Sequence, residues 1–479
     1  MSPPPHLFVE PAYILTMPQI PAVERCILGL ALRFALLGRV NAARQFTELF
    51  YSRPTLQDLS LSGLRALVVC WRSSYFPAGI PDNLKTDAYF HDYIKFKDQE
   101  GFQWPFYVQS SKRIEDETGL NAILSPGQNT PSYEGREPER GPALELGVKL
   151  AERRDVDPLT DPQINEILAT LPGPLDYRSQ DAFLVGSPRC APIFMSGALA
   201  RKLGLTDEEL DLRAAELLEA SRQRYWHGRS SQGLETISEL LQSCNDDSLA
   251  RSDSHWTEME EPKPTSLYKP PASEEQISNL EQRLKVSLPE DFKAFLRISN
   301  GFGVQTDGFG GIWNGYFPGP SLRSVDEIDW LEYSEYELMF DQLTLPWLAD
   351  YENSTQTDDD GLPEPPIFTD VICIASEEIY DVWLIPPEML QQMRDYYKKL
   401  YTMVNDDGKR IIERAIDDFA GSRDEWEKLD WGCVSWACGG SAQLDCFKSF
   451  KAWLEDSAWT AKYTQMKMIV AFISSRNQK

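Results

Sequence analysis

Residues 273–302, SEEQISNLEQRLKVSLPEDFKAFLRISNGF, constrain the fold more tightly than any other stretch of the chain. Ser273 with Gln276 three places on is a capping-box start. Ile277, Leu280 and Leu284 then recur at steps of three and four, which predicts one apolar stripe on a short helix. Pro289 suits the first turn of a second helix, where a missing N–H costs nothing. Glu290 and Asp291 sit in that first turn, at the positive end of the helix dipole. Phe292, Phe295 and Leu296 supply its buried face. Asn300-Gly301 is expected to end it, because both residues tolerate the left-handed conformation.

Later pieces extend the pattern. VICIASEEIYDVWLI (371–385) reads as two β-rich runs around a polar turn, a hairpin. Pro386-Pro387 stop the second strand and start a helix through Met389, Met393, Tyr396, Tyr397 and Leu400. Ile411, Ile412, Ala415, Ile416 and Phe419 carry a further helix. Trp431 to Cys438 reads as a last strand. CFKSFKAWLED (446–456) reads as a closing helix with Phe447, Phe450, Trp453 and Leu454 on its face.

These features together resemble the SUKH family, which includes fungal cell-wall-assembly regulators and bacterial toxin-immunity proteins. The resemblance spans about 265–460. It rests on the EEQISNLEQRL helix, the SLPEDFKAFL turn and helix, and the SNGFG exit, with Leu288, Pro289, Phe292, Phe295, Asn300 and Gly301 as its motif residues. It implies an α+β domain with a mostly antiparallel sheet packed by helices, and a scaffold that binds proteins. The fungal branch implies a role in cell-wall synthesis signalling and morphogenesis.

At 479 residues the chain is too long for one ordinary core. The net charge of −27 disfavours nucleic acid and anionic membranes, which it would repel, and favours basic protein partners. No basic segment followed by a long apolar run opens the sequence, so no secretory signal is expected. The longest apolar run, Cys26 to Leu37, contains Arg33 and is too short for a bilayer. The eight cysteines are scattered and form no CxxC pair, which fits free thiols in a reducing compartment. A cytoplasmic or nuclear location follows as the expectation.

Residues 1–21 are Pro-rich and read as an extended segment. From Ala22 onward the periodicity is helical. Val23, Ile27, Leu30, Phe34 and Leu37 make one face, Gly38 breaks the helix, and Asn41 is placed to cap the next. Leu56 to Trp71 reads as a third helix. Part of it, LSLSGLRALVVCWRSS (59–74), is faintly similar to the end of an F-box, the motif of ubiquitin-ligase adaptors. Residues 75–110 are aromatic-rich and read as core, and 125–142 as an internal loop. Asp161-Pro162 starts another helix. Thr206 with Glu209 is a capping box, and Leu234, Ile237, Leu240 and Leu241 suggest a last short helix. The expected organisation is an all-α domain over 22–243, built from helical hairpins of the kind found in α-solenoids. A polar, Pro-containing linker over 244–272, a SUKH-like domain over 273–460 and a tail over 461–479 follow. The fold class is α+β overall.

Chemistry is harder to find than architecture. The glycines of 301–320 spell neither a phosphate loop nor a dinucleotide fingerprint and read as tight turns. Asp358-Asp359-Asp360-Gly361 lacks the ligand alternation and terminal Glu of an EF-hand. The four histidines, His6, His91, His227 and His255, stand near no nucleophile motif. A non-enzymatic chain with no metal and no cofactor is the expectation. The sharpest interaction candidate is 325–341, with seven acids, no Lys or Arg, and interleaved aromatics. There Asp326, Glu327, Asp329, Trp330, Glu332 and Glu335 are candidates for meeting a basic protein, with Trp313 and Tyr316 as a flanking cleft. Neutralising a basic toxin and adapting a ubiquitin ligase are the alternative roles.

Overall fold

The computed structural model describes residues 8–53, 62–72, 76–80, 82–85, 120–121, 140–171, 184–228, 236–258, 262–304, 320–331, 366, 370–377, 380–437 and 443–463. The chain divides into two compact units, one within 1–230 and one within 231–479, with Thr16–Gln19 grouped with the second. Every regular element described in the first unit is a helix, and the second holds a five-stranded antiparallel sheet with helices. The α+β class holds.

In the first unit the helices are α1 (Pro11–Leu15), α2 (Ile20–Leu36), α3 (Val40–Phe50), α4 (Ser62–Arg72), α5 (Arg140–Arg153), α6 (Pro162–Thr170), α7 (Ala191–Met195), α8 (Ala198–Lys202) and α9 (Asp207–His227). The α2–α3 hairpin forms as the periodicity predicts. Gly38 turns it at φ +78°, and a Cβ there would lie 2.8 Å from the Gly197 Cα, so only glycine fits. Asn41 does not cap α3. The cap position is Arg39, and the Asn41 carboxamide oxygen instead accepts from Arg44 inside the helix. Asp161 caps α6 by accepting from the Gln163 and Ile164 N–H groups, and Thr206 and Glu209 close their capping box on α9. Among the histidines, His227 lies exposed at the end of α9, and His6 and His91 lie outside the described residues.

The second unit opens with α10 (Ile237–Arg251) and α11 (Asp253–Glu258). Most of the expected linker is therefore ordered. The rest of its described part, 262–272, runs beside residues 296–303. The Ala272 N–H donates to Leu296 O at 2.9 Å, Gly303 N–H to Leu267 O at 2.9 Å, and Asn300 N–H to Pro270 O at 3.1 Å. The physical reason is that polar side chains face inward. Asn245 and Ser248 of α10 are buried, and the Asn245 carboxamide accepts from Leu267 N–H at 2.8 Å. Low hydrophobicity there marks a hydrogen-bonded core contact rather than a solvated linker.

Helices α12 (Glu274–Leu284) and α13 (Glu290–Ile298) follow, each within a residue of the expected bounds. Ser273 and Gln276 form the predicted capping box. Pro289 is the cap of α13 rather than its first helical residue. The sheet is a meander in the order β1 (Asp329–Trp330), β2 (Ile372–Glu377), β3 (Tyr380–Ile385), β4 (Gly432–Ala437), β5 (Gln443–Phe447). Between β3 and β4 the chain makes α14 (Pro387–Met403), α15 (Asp406–Ala420) and α16 (Arg423–Lys428), and α17 (Phe450–Tyr463) closes the unit. Phe447, expected on the closing helix, is instead the last residue of β5.

Both sheet faces are buried, which is why Val382 to Ile385 of β3 reads as an unbroken apolar run. Val382, Leu384, Ile372 and Cys433 share one core with α10, α12, α13 and α17. At its centre Phe292, Phe295 and Trp453 each lie within 5.6 Å of a neighbouring ring in a cluster around Phe450. Burying each such side chain contributes about 1.5–3 kcal/mol. On the other face Trp383 stacks on Trp436 with centroids 6.0 Å apart.

Candidate functional site

The acidic turn follows from what holds it. Val325 and Ile328 are buried in the shared core, while Asp326, Glu327 and Asp329 between and beside them are exposed. Two backbone carbonyls of the turn meet one cation. The Arg283 guanidinium, from α12, donates to Val325 O at 2.7 Å and to Ile328 O at 2.6 Å. From the exit of α13, the Asn300 carboxamide accepts from Val325 N–H at 2.8 Å. Leu331 N–H donates to Val371 O at 2.9 Å and ties the far end to the start of the sheet.

Two of the candidate residues work inside this turn. The Glu327 carboxylate accepts from Ser324 N–H at 2.9 Å and from the Ser324 hydroxyl at 2.7 Å. Those bonds, the hydroxyl's first, hold its carboxyl below the usual glutamate range. Trp330 is half-buried against the core, and its indole N–H donates to Leu284 O at 3.1 Å. That carbonyl is available because Lys285 ends α12 in the left-handed conformation, φ +57°. Asp329 accepts from the following N–H of Trp330 at 2.8 Å. Asp326, Glu327 and Asp329 are all exposed, and Glu327 and Asp329 each also accept a hydrogen bond within the turn. Trp313, Tyr316, Glu332 and Glu335 lie outside the described residues.

The motif residues explain why the turn sits where it does. Leu288, Phe292 and Phe295 are buried in the core. Asn300 does not adopt the left-handed conformation; Gly301 does, at φ +98°. Asn300 acts through its side chain, on Val325. The Arg283 and Asn300 roles have no local signal in the sequence. Ser324 and Glu327 do have one, since S-x-x-E is the spacing of a capping box.

A second polar feature lies on the sheet face away from the shared core. Asp381 of β3 is buried, and its register partner on β2 is Ser376. Burial pushes its carboxyl above the usual range, against a hydrogen bond from Ser376 and the nearby Arg323 charge. One of its carboxylate oxygens has no hydrogen-bond partner. Among the described residues no group of three or more His, Cys, Asp or Glu is placed to hold a metal, and the seven described cysteines are buried. Burial pushes the Cys70 thiol up to about 12 and the Cys373 thiol up to about 11. No described helix is long and apolar enough to cross a membrane.

A family model, the SMI1 / KNR4 family (SUKH-1), matches residues 271–419. The match begins just before the Ser273 cap, takes in α12, α13 and the pinned turn, and ends within α15. No curated protein and no solved structure matches the chain.

Proposed function

We propose that this chain, whose C-terminal part carries a SUKH-1 domain, is a non-enzymatic regulatory scaffold that binds other proteins reversibly. The observation behind this reading is the acidic turn. Its backbone is fixed by Arg283 of α12 and Asn300 just after α13, both within the family match, and its Asp326 and Asp329 carboxylates face outward. A rigid acidic display loses little conformational freedom on binding, so a basic partner surface can use most of the electrostatic attraction. The resemblance to the fungal regulators supports a scaffold that acts inside the cell, in the cytoplasm or nucleus, in cell-wall synthesis signalling and morphogenesis.

The test is affinity capture from native lysate with mass spectrometry, comparing the full chain with an Asp326→Lys, Asp329→Lys double variant. The expected result is a specific set of partners with basic surfaces, depleted by the charge reversal. An unchanged set would overturn the assignment of the turn. Recovery of a basic nuclease whose activity the chain suppresses would replace the scaffold reading with toxin neutralisation, which the same acidic display suits.

A further inference from the structure

Helix α9 of the first unit is 21 residues long and exposes two large apolar side chains, Leu212 at 64% and Trp226 at 49%. Between them Glu216, Glu219 and Gln223 are also exposed. The positions 212, 216, 219, 223 and 226 step by four, three, four and three. These five residues therefore line one exposed stripe of the helix, apolar at its two ends and polar between. The opposite face of α9 is filled within the unit, with Leu210, Ala214, Leu217, Leu218 and Tyr225 buried.

The stripe is built and charged, not merely apolar. The Arg53 guanidinium lies 5.7 Å from the Trp226 ring centre and donates to Tyr225 O at 2.9 Å, so the indole is held from one side. The Glu216 side chain is 47% exposed against 18% for its partner Arg213, which lies beneath it. Glu219 is 68% exposed and pairs with Arg222, itself half exposed. Glu208 is exposed on the same side one turn before Leu212. With acids in excess along it, this side of α9 complements a cationic helix.

We propose that this face of α9 is a docking site for a basic amphipathic helix of a partner protein. Leu212 and Trp226 act as apolar anchors about 21 Å apart, fourteen residues at a rise of about 1.5 Å each. Aromatic and apolar anchors at the two ends set the register, and the acids between them select a Lys- or Arg-rich partner.

The experiment measures fluorescence anisotropy of a labelled 21-residue Leu/Lys peptide with heptad spacing, titrated with the full chain at physiological salt. A scrambled peptide of the same composition is the control. The expected result is binding of the patterned peptide about tenfold tighter than the scrambled one, the preference being lost in a Leu212→Ser, Trp226→Ser variant. Both substituted side chains are exposed, and circular dichroism checks that the helices persist. An Asp326→Lys, Asp329→Lys variant should bind the patterned peptide as the wild type does. Equal binding of both peptides, or retention of the preference by the double serine variant, would overturn the proposal. So would loss of the preference in the turn variant. Self-association of the wild type that the serine substitutions abolish would assign the face to a second copy of the chain and overturn it as well.

Discussion

The Asp291 carboxylate accepts a hydrogen bond at 2.8 Å from the backbone N–H of Lys451, 160 residues further along the chain. Lys451 lies in the first turn of α17, where the N–H groups have no partner within the helix. Ser449 accepts from the next one, Ala452 N–H, at 3.1 Å. The first turn of the closing helix is therefore capped partly by its own sequence and partly by the family-matched helix α13. Replacing Asp291 by Ala should cost about 1 kcal/mol, the usual loss for a helix cap, and Asn should recover part of it. Chemical denaturation of the three proteins would check this. Equal midpoints would show that the bond contributes nothing.

Gly301 is the motif residue fixed by its backbone conformation. It sits at φ +98°, and an added Cβ would lie 2.9 Å from Leu322 O. The strained conformation alone costs a side chain about 1–2 kcal/mol, and the clash with backbone adds to it. Gly301→Ala should therefore be more damaging than Asp291→Ala in the same denaturation series.

Two carboxyl groups should give opposite pH responses. Glu327 is held below its usual range by Ser324, so its stabilisation is present above the unfolded-state value of about 4.5 and is lost as pH falls through the lower folded value. Asp381 is raised by burial, so it destabilises once pH rises above the unfolded value of about 3.8, with the full penalty above the folded value. Asp381→Asn should raise the melting temperature at pH 7 and lose that advantage below about pH 4. Glu327→Gln should lower it at pH 7 and matter less in acid. Melting curves from pH 3 to 8 would separate the two, and parallel shifts across the range would contradict both.

Arg283 joins α12 to the acidic turn through two carbonyls. Arg283→Met keeps much of the side-chain length and removes both donors. We expect a loss of about 1–3 kcal/mol in stability, since two part-buried carbonyls lose their donor. Faster amide exchange should be confined to residues 324–331. Exchange that rises throughout the unit instead would mean that Arg283 supports the core rather than the turn.

The helices of the second unit were legible wherever apolar spacing and capping coincided, as at Ser273, Gln276, Ile277 and Leu280. The β2–β3 hairpin was legible because two β-rich runs flank a polar turn. The second half of α10 was not, because Asn245 and Ser248 are buried by hydrogen bonding and do not look like core residues. Phe447 was misplaced because a single aromatic beside a helical pattern carries no sign of strand pairing; only its register with Cys433 shows where it belongs. At the turn, the acids were visible as composition. The difference between Asp326, which faces outward, and Glu327, which bonds Ser324, depends on where one hydroxyl and one amide fall.

Helix α10 lies against α17, and the Arg251 guanidinium reaches the Ala461 carbonyl, so the first long helix of this unit rests on the last. During synthesis, α10 emerges with Leu240, Leu241 and Cys244 uncovered, and the side chains that will cover them are made roughly two hundred residues later. A nascent chain stalled before Phe450 would carry a nearly complete unit with an open seam. That intermediate is the form chaperones and proteases should recognise, and emergence of α17 from the ribosome is the event that hides it.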